Sequence, residues 1–281
     1  MIINGKQLAK EYEENYRARV EKLAELNVVP SLVILMVGDN PASQVYVKHK
    51  MSVAKSLGIR TNLHHIKQVT SHTPSILHEI IYDANYRDDI HGIMIQLPLP
   101  ESSWEQELIQ AINPEKDVDG LHPLSLGMIG LNKGFVSCTP QGIIKLIKTV
   151  CNEIEGKEAV VIGRSRIVGK PVADLLLNEN ATVTICHSRT KDLEHKVRRS
   201  DIVVAAAGVK HLVKGEWFKK DAVVIDVGIH RQENGKLTGD VYFDYDVHEV
   251  KGITPVPGGV GPMTISCLMN NIILSAETAH V

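Results

Sequence analysis

A tyrosine and a lysine four residues apart, Tyr46 and Lys50, could handle protons together. They lie in PASQVYVKHKMSVAKSLG, which begins with Pro and Ser and ends with Gly, so a helix is predicted over 41–58. At about 100° per residue, Lys50 shares one arc with apolar and aromatic residues: Ala42, Tyr46, Val53 and Leu57. Burial there would disfavour the charged ammonium and let the amine exchange protons or activate water. The alternative is a lysine that reaches solvent from the edge of the apolar face.

Two further polar residues stand near predicted strand ends, where α/β proteins bind ligands. Gln96 interrupts the apolar run GIMIQLPLP, so its amide needs partners, either a ligand or the backbone. Asp119 precedes a glycine in PEKDVDGLHP, where its carboxylate could bind a ligand or simply stabilise a turn. The residues alone leave both alternatives open at each position.

A glycine-containing loop follows the apolar run at the start of AVVIGRSRIVGKPVADLLL, residues 159–177. Gly163 ends the predicted strand, Gly169 opens the predicted helix and Pro171 suits its first turn. Free N–H groups at such a helix start attract phosphate, which indicates a nucleotide cofactor. The spacing departs from G-x-G-x-x-G, and an ordinary strand–helix loop is the alternative.

The residues after the second strand of this region favour NADP over NAD. An NAD site usually carries an Asp or Glu there for the ribose hydroxyls. Here TVTIC is followed by His, Ser, Arg, Thr and Lys at 187–191, with no acid among them, and Arg164 lies in the glycine loop. Hydroxyl and guanidinium groups suit a 2′-phosphate. The alternative is a solvated basic turn.

These residues require a framework of parallel strands and helices. Six apolar runs predict buried strands, because both faces of a parallel sheet are covered: 31–38, 89–100, 158–163, 181–187, 201–208 and 221–228. Spacings of about 20 residues leave room for crossover helices. The fold predicted is α/β with two domains. The first is a catalytic domain of residues 1–140 plus 256–281, including a C-terminal helix over 264–279, and the second is a Rossmann-type domain of residues 141–255.

Composition limits the class of protein. The 281 residues are 43% hydrophobic and 23% charged with a net charge of −2, which is typical of a globular chain and offers no basic surface for nucleic acid or anionic lipid. The four cysteines are scattered, as in a reducing compartment, and no ligand spacing indicates a metal. No signal core or membrane-length apolar run is present, so a cytoplasmic protein is expected.

A set of motifs in this order resembles one family over essentially the whole chain: VGDNPASQVYVKHK, GIMIQLPLP, PEKDVDGLHP, VVIGRSRIVGKP, DVGI, GDV and ITPVPGGVGPMT. The family is the bifunctional methylenetetrahydrofolate dehydrogenase/methenyltetrahydrofolate cyclohydrolase in its bacterial two-activity form. The resemblance implies NADP-dependent oxidation of 5,10-methylenetetrahydrofolate, then hydrolysis to 10-formyltetrahydrofolate. The family's loop reads G-x-S-x-x-x-G, which accounts for the departure noted above.

The resemblance also implies roles for individual residues. Lys50 is similar to the family's catalytic lysine, Tyr46 to the residue that stacks on or orients the folate, and Gln96 to the glutamine that bonds the lysine and helps to hold it neutral. Asp119 resembles the carboxylate that grips the pterin. The segment Pro257, Gly258 and Gly259 would line the cleft where folate and cofactor meet.

The cofactor residues implied by the resemblance lie in the second domain. Gly163, Arg164 and Ser165 resemble the cofactor loop, Ser188 the contact with the 2′-phosphate, and Ile229 a backbone contact near the nicotinamide. Members of the family usually form homodimers through this domain, so a homodimer is expected.

Two departures from the family put local loop geometry in doubt. Ser125 stands where many members have asparagine, and Ser137 replaces the proline of P-C-T-P. Two other functions stay open at this point. One is a different NADP-dependent dehydrogenase on a similar scaffold, of amino-acid or shikimate type, which leaves Tyr46, Lys50 and Gln96 unexplained. The other is a non-enzymatic nucleotide-binding or sensing protein.

Overall fold

The computed structural model describes residues 1–242 and 249–280, which contacts divide into two units. The lysine unit comprises Glu11–Met128, Lys133–Val136 and the chain from Leu268. The loop unit comprises Met1–Lys10, Ile129–Asn132 and Ser137–Cys267. Each is described below by itself.

The lysine unit is built on a parallel sheet with strand order β2-β1-β3. Its elements, in chain order, are α1 (Gly5–Glu25, which begins in the loop unit), β1 (Ser31–Val37), α2 (Pro41–Ser56), β2 (Arg60–Ile66), α3 (Thr73–Tyr86), β3 (Gly92–Ile95), α4 (Glu105–Ala111) and α5 (Pro123–Met128). Every residue of β1 and β3 is buried, as expected of apolar runs covered on both faces. Leu77 and Ile81 of α3 pack in the same core as Val33 and Leu35.

The loop unit is built on a parallel sheet with strand order β12-β8-β6-β4-β5 among the described residues. Its elements are α6 (Cys138–Lys148), β4 (Glu158–Ile162), α7 (Gly169–Asn178), β5 (Thr182–Cys186), α8 (Leu193–Arg198), β6 (Ile202–Ala205), β7 (Val213–Lys214), β8 (Val223–Asp226), β9 (His230–Arg231), β10 (Leu237–Thr238), β11 (Val241–Tyr242), β12 (Gly252–Ile253) and the start of α9 (Val260–Ala279). Strand β5 lies on one side of β4, and the next strand along the chain, β6, lies on the other side of β4. The crevice between the carboxyl ends of β4 and β6 is therefore the switch point at which such sheets bind ligands.

The predicted fold class, two α/β domains, is confirmed. The contact-based units differ from the expected boundaries at both termini. Met1–Lys10 groups with the loop unit because Ile3 and Ile253 are joined through the backbone, with Ile3 N donating to the Ile253 carbonyl at 2.8 Å. Residues 256–267 group there as well, and α9 passes to the lysine unit from Leu268. Residues 243–248, inside the expected second domain, lie outside the described ranges.

Strand β2 has no counterpart among the predicted apolar runs. Its residues RTNLHHI are exposed or half-buried, as an edge position allows, so no continuous apolar signal exists. All four cysteines are buried free thiols. Within residues 1–242 and 249–280, no helix combines the length and apolarity needed to span a bilayer.

Candidate functional site

Lys50 lies on the buried face of α2 with only 4% of its surface exposed. The helix begins where the Asn40 side chain accepts hydrogen bonds from the Ala42 and Ser43 N–H groups. Lys50 Nζ is 3.1 Å from Gln96 Oε1 and 4.9 Å from the centre of the Tyr46 ring. The structure therefore brings Gln96, from a separate motif, next to the Tyr46 and Lys50 pair.

The helix predicted over 41–58 is confirmed as Pro41–Ser56, but its buried face is rotated from the predicted arc. Ala42 is exposed, Tyr46 and Val53 are half-buried, and the buried set within the helix is Ser43, Val47, Lys50 and Ala54. Lys50 belongs to both sets, and its buried nitrogen excludes the alternative of a lysine reaching solvent.

Gln96 is held by its backbone and by both ends of its side-chain amide. Its backbone N–H donates to the Leu35 carbonyl at 2.8 Å, which extends the pairing of β3 with β1 by one residue. Its side-chain Nε2 donates to the Leu97 carbonyl at 2.8 Å, so Oε1 must face Lys50. A neutral amide oxygen can accept a hydrogen bond from lysine without forming an ion pair. A carboxylate partner would stabilise the charged form of the Lys50 amine strongly. The neutral amide oxygen of Gln96 stabilises that form less strongly.

Asp119 is half-buried and lies in the turn before Gly120, whose φ of +70° suits glycine. Sequence reasoning missed the residue that fixes this turn, Asp117. Its carboxylate is 1% exposed and accepts hydrogen bonds from the backbone of His122 at 2.8 Å and from the Ser125 hydroxyl at 2.7 Å. Burial raises the pKa of Asp117 to about 6, against the opposing effect of these hydrogen bonds.

The two departures from the family pattern occupy buried positions. Ser125 donates its hydroxyl to Asp117 and so contributes to the turn that carries Asp119. Ser137 is the residue before α6 and is 1% exposed. The doubt about loop geometry is therefore answered at Ser125, where the shorter side chain still reaches the carboxylate.

The glycine loop is shaped by close backbone approaches. Gly163 has a φ of +127°, and a Cβ there would overlap the Ala206 carbonyl at the end of β6. A Cβ on Gly169 would overlap the Gly163 carbonyl. Ser165 Oγ accepts hydrogen bonds from Val168 N at 3.1 Å and Gly169 N at 3.2 Å, which orders the start of α7. Only glycine fits at these two positions, and the result is a backbone cradle at the switch point.

The basic turn after β5 lies next to this cradle. Gly163 N donates to the Cys186 carbonyl at 2.9 Å, so the ends of β4 and β5 are adjacent. The turn is closed by a hydrogen bond from His187 N to Thr190 Oγ1 at 2.9 Å, which leaves Ser188 exposed. Arg164 is exposed as well. Exposed hydroxyl and guanidinium groups at neighbouring strand ends fit a phosphate on a ribose.

Ile229 and the Pro257–Gly259 segment follow two other strands of the same sheet, β8 and β12. Ile229 is 60% exposed, unusual for isoleucine. Gly258 has a φ of +105°, and its carbonyl accepts a hydrogen bond from Lys6 N at 3.0 Å. All predicted cofactor residues therefore lie at the carboxyl edge of one sheet, and Lys50, Tyr46, Gln96 and Asp119 lie in the other unit.

A doubly wound parallel sheet with a glycine cradle and a basic turn at its switch point defines a dinucleotide-binding α/β protein. Residues 137–280 match the family model described as tetrahydrofolate dehydrogenase/cyclohydrolase, NAD(P)-binding domain. Residues 3–119 match the model of the catalytic domain of the same family. The chain belongs to the tetrahydrofolate dehydrogenase/cyclohydrolase family.

Similar proteins span nearly the whole chain. A relative described as bifunctional protein FolD, from Bacillus licheniformis, is 49% identical over 98% of this chain and 97% of its own length. The structure of a bifunctional FolD enzyme from Campylobacter jejuni is 41% identical with a TM-score of 0.95, covering 99% of each chain. The Trypanosoma brucei FolD structure, complexed with NADP cofactor and inhibitor, is 37% identical with a TM-score of 0.93 and covers 100% of this chain and 98% of its own.

These matches decide between the functions left open by the sequence. The catalytic-domain match covers the region of Tyr46, Lys50 and Gln96, which a different NADP-dependent dehydrogenase left unexplained. A pure nucleotide-binding protein would likewise need no such domain.

Proposed function

We propose that this chain oxidises 5,10-methylenetetrahydrofolate to 5,10-methenyltetrahydrofolate with NADP and hydrolyses that product to 10-formyltetrahydrofolate. The observation that carries the proposal is the buried Lys50, bonded to Gln96 and facing Tyr46, inside the region that matches the family's catalytic domain. When bound, NADP⁺ supplies the acceptor for the hydride that leaves the methylene carbon. The proposed cofactor residues are Gly163, Arg164, Ser165, Ser188 and Ile229.

In the hydrolysis, water adds to the methenyl carbon and loses a proton. The bond from that carbon to the ring nitrogen then breaks, the nitrogen gains a proton and the carbon becomes the formyl group, with one proton released overall. Lys50 is the group proposed to move these protons, because its nitrogen is held out of water against a neutral acceptor. Tyr46 is proposed to stack on the folate and Asp119 to accept hydrogen bonds from the pterin, with Asp117 fixing the turn that carries it.

The remaining assignments are part of the same proposal. Pro257, Gly258 and Gly259 contribute to substrate binding. Residues 1–140 with 256–281 serve the folate, and residues 141–255 serve NADP. The protein works in the cytoplasm on small tetrahydrofolate derivatives, not on nucleic acid or membranes, and its formyl product supplies purine biosynthesis. Detection in a membrane-free cell fraction would check the location.

A homodimer through the loop unit is also proposed. Its support is the outer strand β5, which has a neighbour on one side only within the described residues. Ile185 on this strand is 42% exposed and Leu177 of α7 is 61% exposed. An open sheet edge with apolar side chains is a template for a second copy. Light scattering of the full chain would distinguish a dimer from a monomer.

The test of the activity compares Lys50→Met with Lys55→Met. Lys55 is exposed on the same helix, so its substitution controls for the loss of a lysine from α2. Lys50→Met should lower the cyclohydrolase rate by about 10²-fold or more, because proton transfer by a positioned group contributes about that much. Lys55→Met should stay within about twofold of wild type, as exposed positions usually do. The cyclohydrolase is followed by decay of the methenyl chromophore, and the dehydrogenase by NADPH formation.

Full cyclohydrolase activity in a folded Lys50→Met variant would overturn the role of the lysine. Wild-type protein that forms no NADPH from 5,10-methylenetetrahydrofolate would overturn the proposed function itself.

A further inference from the structure

The carboxylate of Asp240 is completely buried beneath the carboxyl edge of the loop-unit sheet, and none of the roles above uses it. Its Oδ2 accepts hydrogen bonds from the backbone N–H groups of Ala207 at 2.7 Å and Gly208 at 2.9 Å. Its Oδ1 lies 2.8 Å from His230 Nε2. A buried carboxylate is strongly disfavoured unless such donors compensate it, so these contacts constrain one another.

The partners of Asp240 belong to two loops at the switch-point side of the sheet. Ala207 and Gly208 follow β6, directly beside the Ala206 carbonyl that Gly163 approaches. His230 follows Ile229 and is the first residue of β9, where the loop after β8 ends. Gly228 in that loop has no room for a Cβ, because the Asp240 carboxylate occupies the space. One side chain therefore ties the loop after β6 to the loop after β8.

A second buried carboxylate holds Asp240 itself in place. Asp226, at the end of β8, accepts hydrogen bonds from Asp240 N at 2.9 Å and Val241 N at 3.1 Å. It also accepts from Gly228 N at 3.2 Å. The Asp240 backbone is thus fixed to the sheet before its side chain reaches the two loops.

The position of these loops indicates which part of a dinucleotide they meet. The basic turn at Ser188 stands at the β5 end of the sheet, on the far side of β4 from β6. A dinucleotide that places its 2′-phosphate there extends across the switch point, and its other half then lies over the ends of β6 and β8. The loops that Asp240 connects are the ones at those ends.

We propose that Asp240 is a positioning residue which, with His230, fixes the loops after β6 and β8 so that they orient the nicotinamide half of NADP. This inference rests on the proposed function. Hydride transfer depends on placement within about 1 Å, and a misplacement of that size can cost about 10²-fold in rate. The adenosine end is proposed to be held at the basic turn after β5, which lies outside the two loops.

The experiment compares Asp240→Asn and His230→Gln with the control His211→Gln. His211 belongs to the loop after β6, but its side chain bonds Thr238 of β10 at 2.9 Å and not Asp240, so the control changes the same loop without touching the Asp240 carboxylate. Asp240→Asn should lower the dehydrogenase kcat by about 10- to 100-fold, since it replaces an acceptor oxygen by a donor. The NADP Kd, measured by calorimetry, should change less than about threefold, because the adenosine half keeps its contacts. The cyclohydrolase, which needs no hydride acceptor, should be unchanged.

His230→Gln keeps the Asp240 carboxylate and its two backbone bonds, so it provides a test even if Asp240→Asn does not fold. It should lower the dehydrogenase kcat by a smaller factor, about 3- to 10-fold, with the same unchanged cyclohydrolase. An equal loss of both activities in a folded variant would overturn the proposal and indicate a purely structural role, as would a dehydrogenase kcat equal to that of His211→Gln. A failure of the proposed function is distinguishable, because wild type itself would then form no NADPH from the folate.

Discussion

The two units build their sites from different parts of the chain: buried side chains in the lysine unit and backbone in the loop unit. In the lysine unit, chemistry depends on side chains held out of water: Lys50 is 4% exposed and its partner Gln96 is fixed through both ends of its amide. In the loop unit, the cradle consists of backbone that only glycine can form, and the polar side chains around it, Arg164 and Ser188, are exposed. A proton-handling amine needs desolvation, whereas a phosphate needs N–H groups that it can reach.

Both units nevertheless anchor their loops with the same device, a buried carboxylate that accepts backbone N–H groups. Asp117 holds the turn before α5, and Asp226 holds the loop after β8. Burial raises the pKa of each to about 6. The functional groups differ between the two sites, but both sites fix their loops with buried carboxylates. Substitutions of the functional groups should therefore act on activity, and substitutions of the buried carboxylates on stability.

The largest effect is expected from Gly163→Ala, which attacks the backbone-built site. A methyl group at φ +127° would overlap the Ala206 carbonyl, and two backbone segments cannot easily move apart. NADP affinity and the dehydrogenase kcat/KM should fall by at least about 10²-fold, because the cradle no longer fits a phosphate. The cyclohydrolase should remain, since the lysine unit is untouched. The measurements are NADP calorimetry and the two activity assays.

Gly156→Ala is the matched control for this substitution. Gly156 also has a positive φ, +70°, and lies in the loop unit, but a Cβ there meets nothing within 4 Å. It should lose about 1 kcal/mol of stability and no NADP affinity. Equal losses of NADP affinity in the two variants would contradict the idea of a close-fitting cradle.

The parts of this molecule that follow from local sequence were predictable. Apolar runs mark β1, β3, β4, β6 and β8, because parallel strands are buried on both faces. The run over 181–187 does form β5, but the expected burial is wrong there, because β5 is an edge strand in which only Cys186 is buried. The glycine loop and the basic turn are contiguous motifs, and their adjacency follows from the order of parallel strands. Lys50 stood out because a charged residue on a mostly apolar arc needs an explanation, but the residues alone left a lysine that reaches solvent as the alternative.

Contacts between distant residues were not predictable in the same way. Asp240 reaches Ala207 across 33 positions of sequence, and nothing in the letters GDV states that the aspartate points inward. Asp117 and Asp119 stand two residues apart in one motif, and only burial separates the structural carboxylate from the half-exposed one. The exposed strand β2 lacked the apolar pattern altogether.

An intermediate effect, on stability, is expected from Asp117→Asn in the lysine unit. Because the pKa of Asp117 is about 6 in the folded state and about 3.8 as its ordinary value, the folded state holds the proton more tightly. The stabilisation from this group is complete below pH 4 and is lost as the pH rises through 6. The free energy of unfolding of wild type relative to Asp117→Asn should therefore fall by roughly 2 kcal/mol between pH 4 and pH 7. Denaturant titrations at several pH values measure it.

Asp89→Asn is the control with the opposite sign. The Arg87 guanidinium, with its hydrogen bond to Asp89, lowers the pKa of that exposed carboxylate. Its contribution is present above its ordinary pKa and is lost on acidification, so the wild-type advantage over Asp89→Asn should grow with pH. A wild-type advantage over Asp117→Asn that also grew with pH would contradict the raised pKa of Asp117 and would mean that its hydrogen bonds outweigh its burial.

The smallest effect is expected from Ser188→Ala, which tests the exposed part of the backbone-built site. The Ser188 hydroxyl is not needed for the turn, which His187 N closes through Thr190 Oγ1. Removing it should weaken NADP binding by about 3- to 10-fold, the range of one exposed hydrogen bond to a phosphate, and leave NAD binding unchanged. The KM values for NADP and NAD in the dehydrogenase assay measure the difference. As a control, Thr190→Ala opens the turn and should weaken the binding of NADP and NAD alike. If Ser188→Ala also weakened the binding of both cofactors, its hydroxyl would support the loop and would not contact the phosphate.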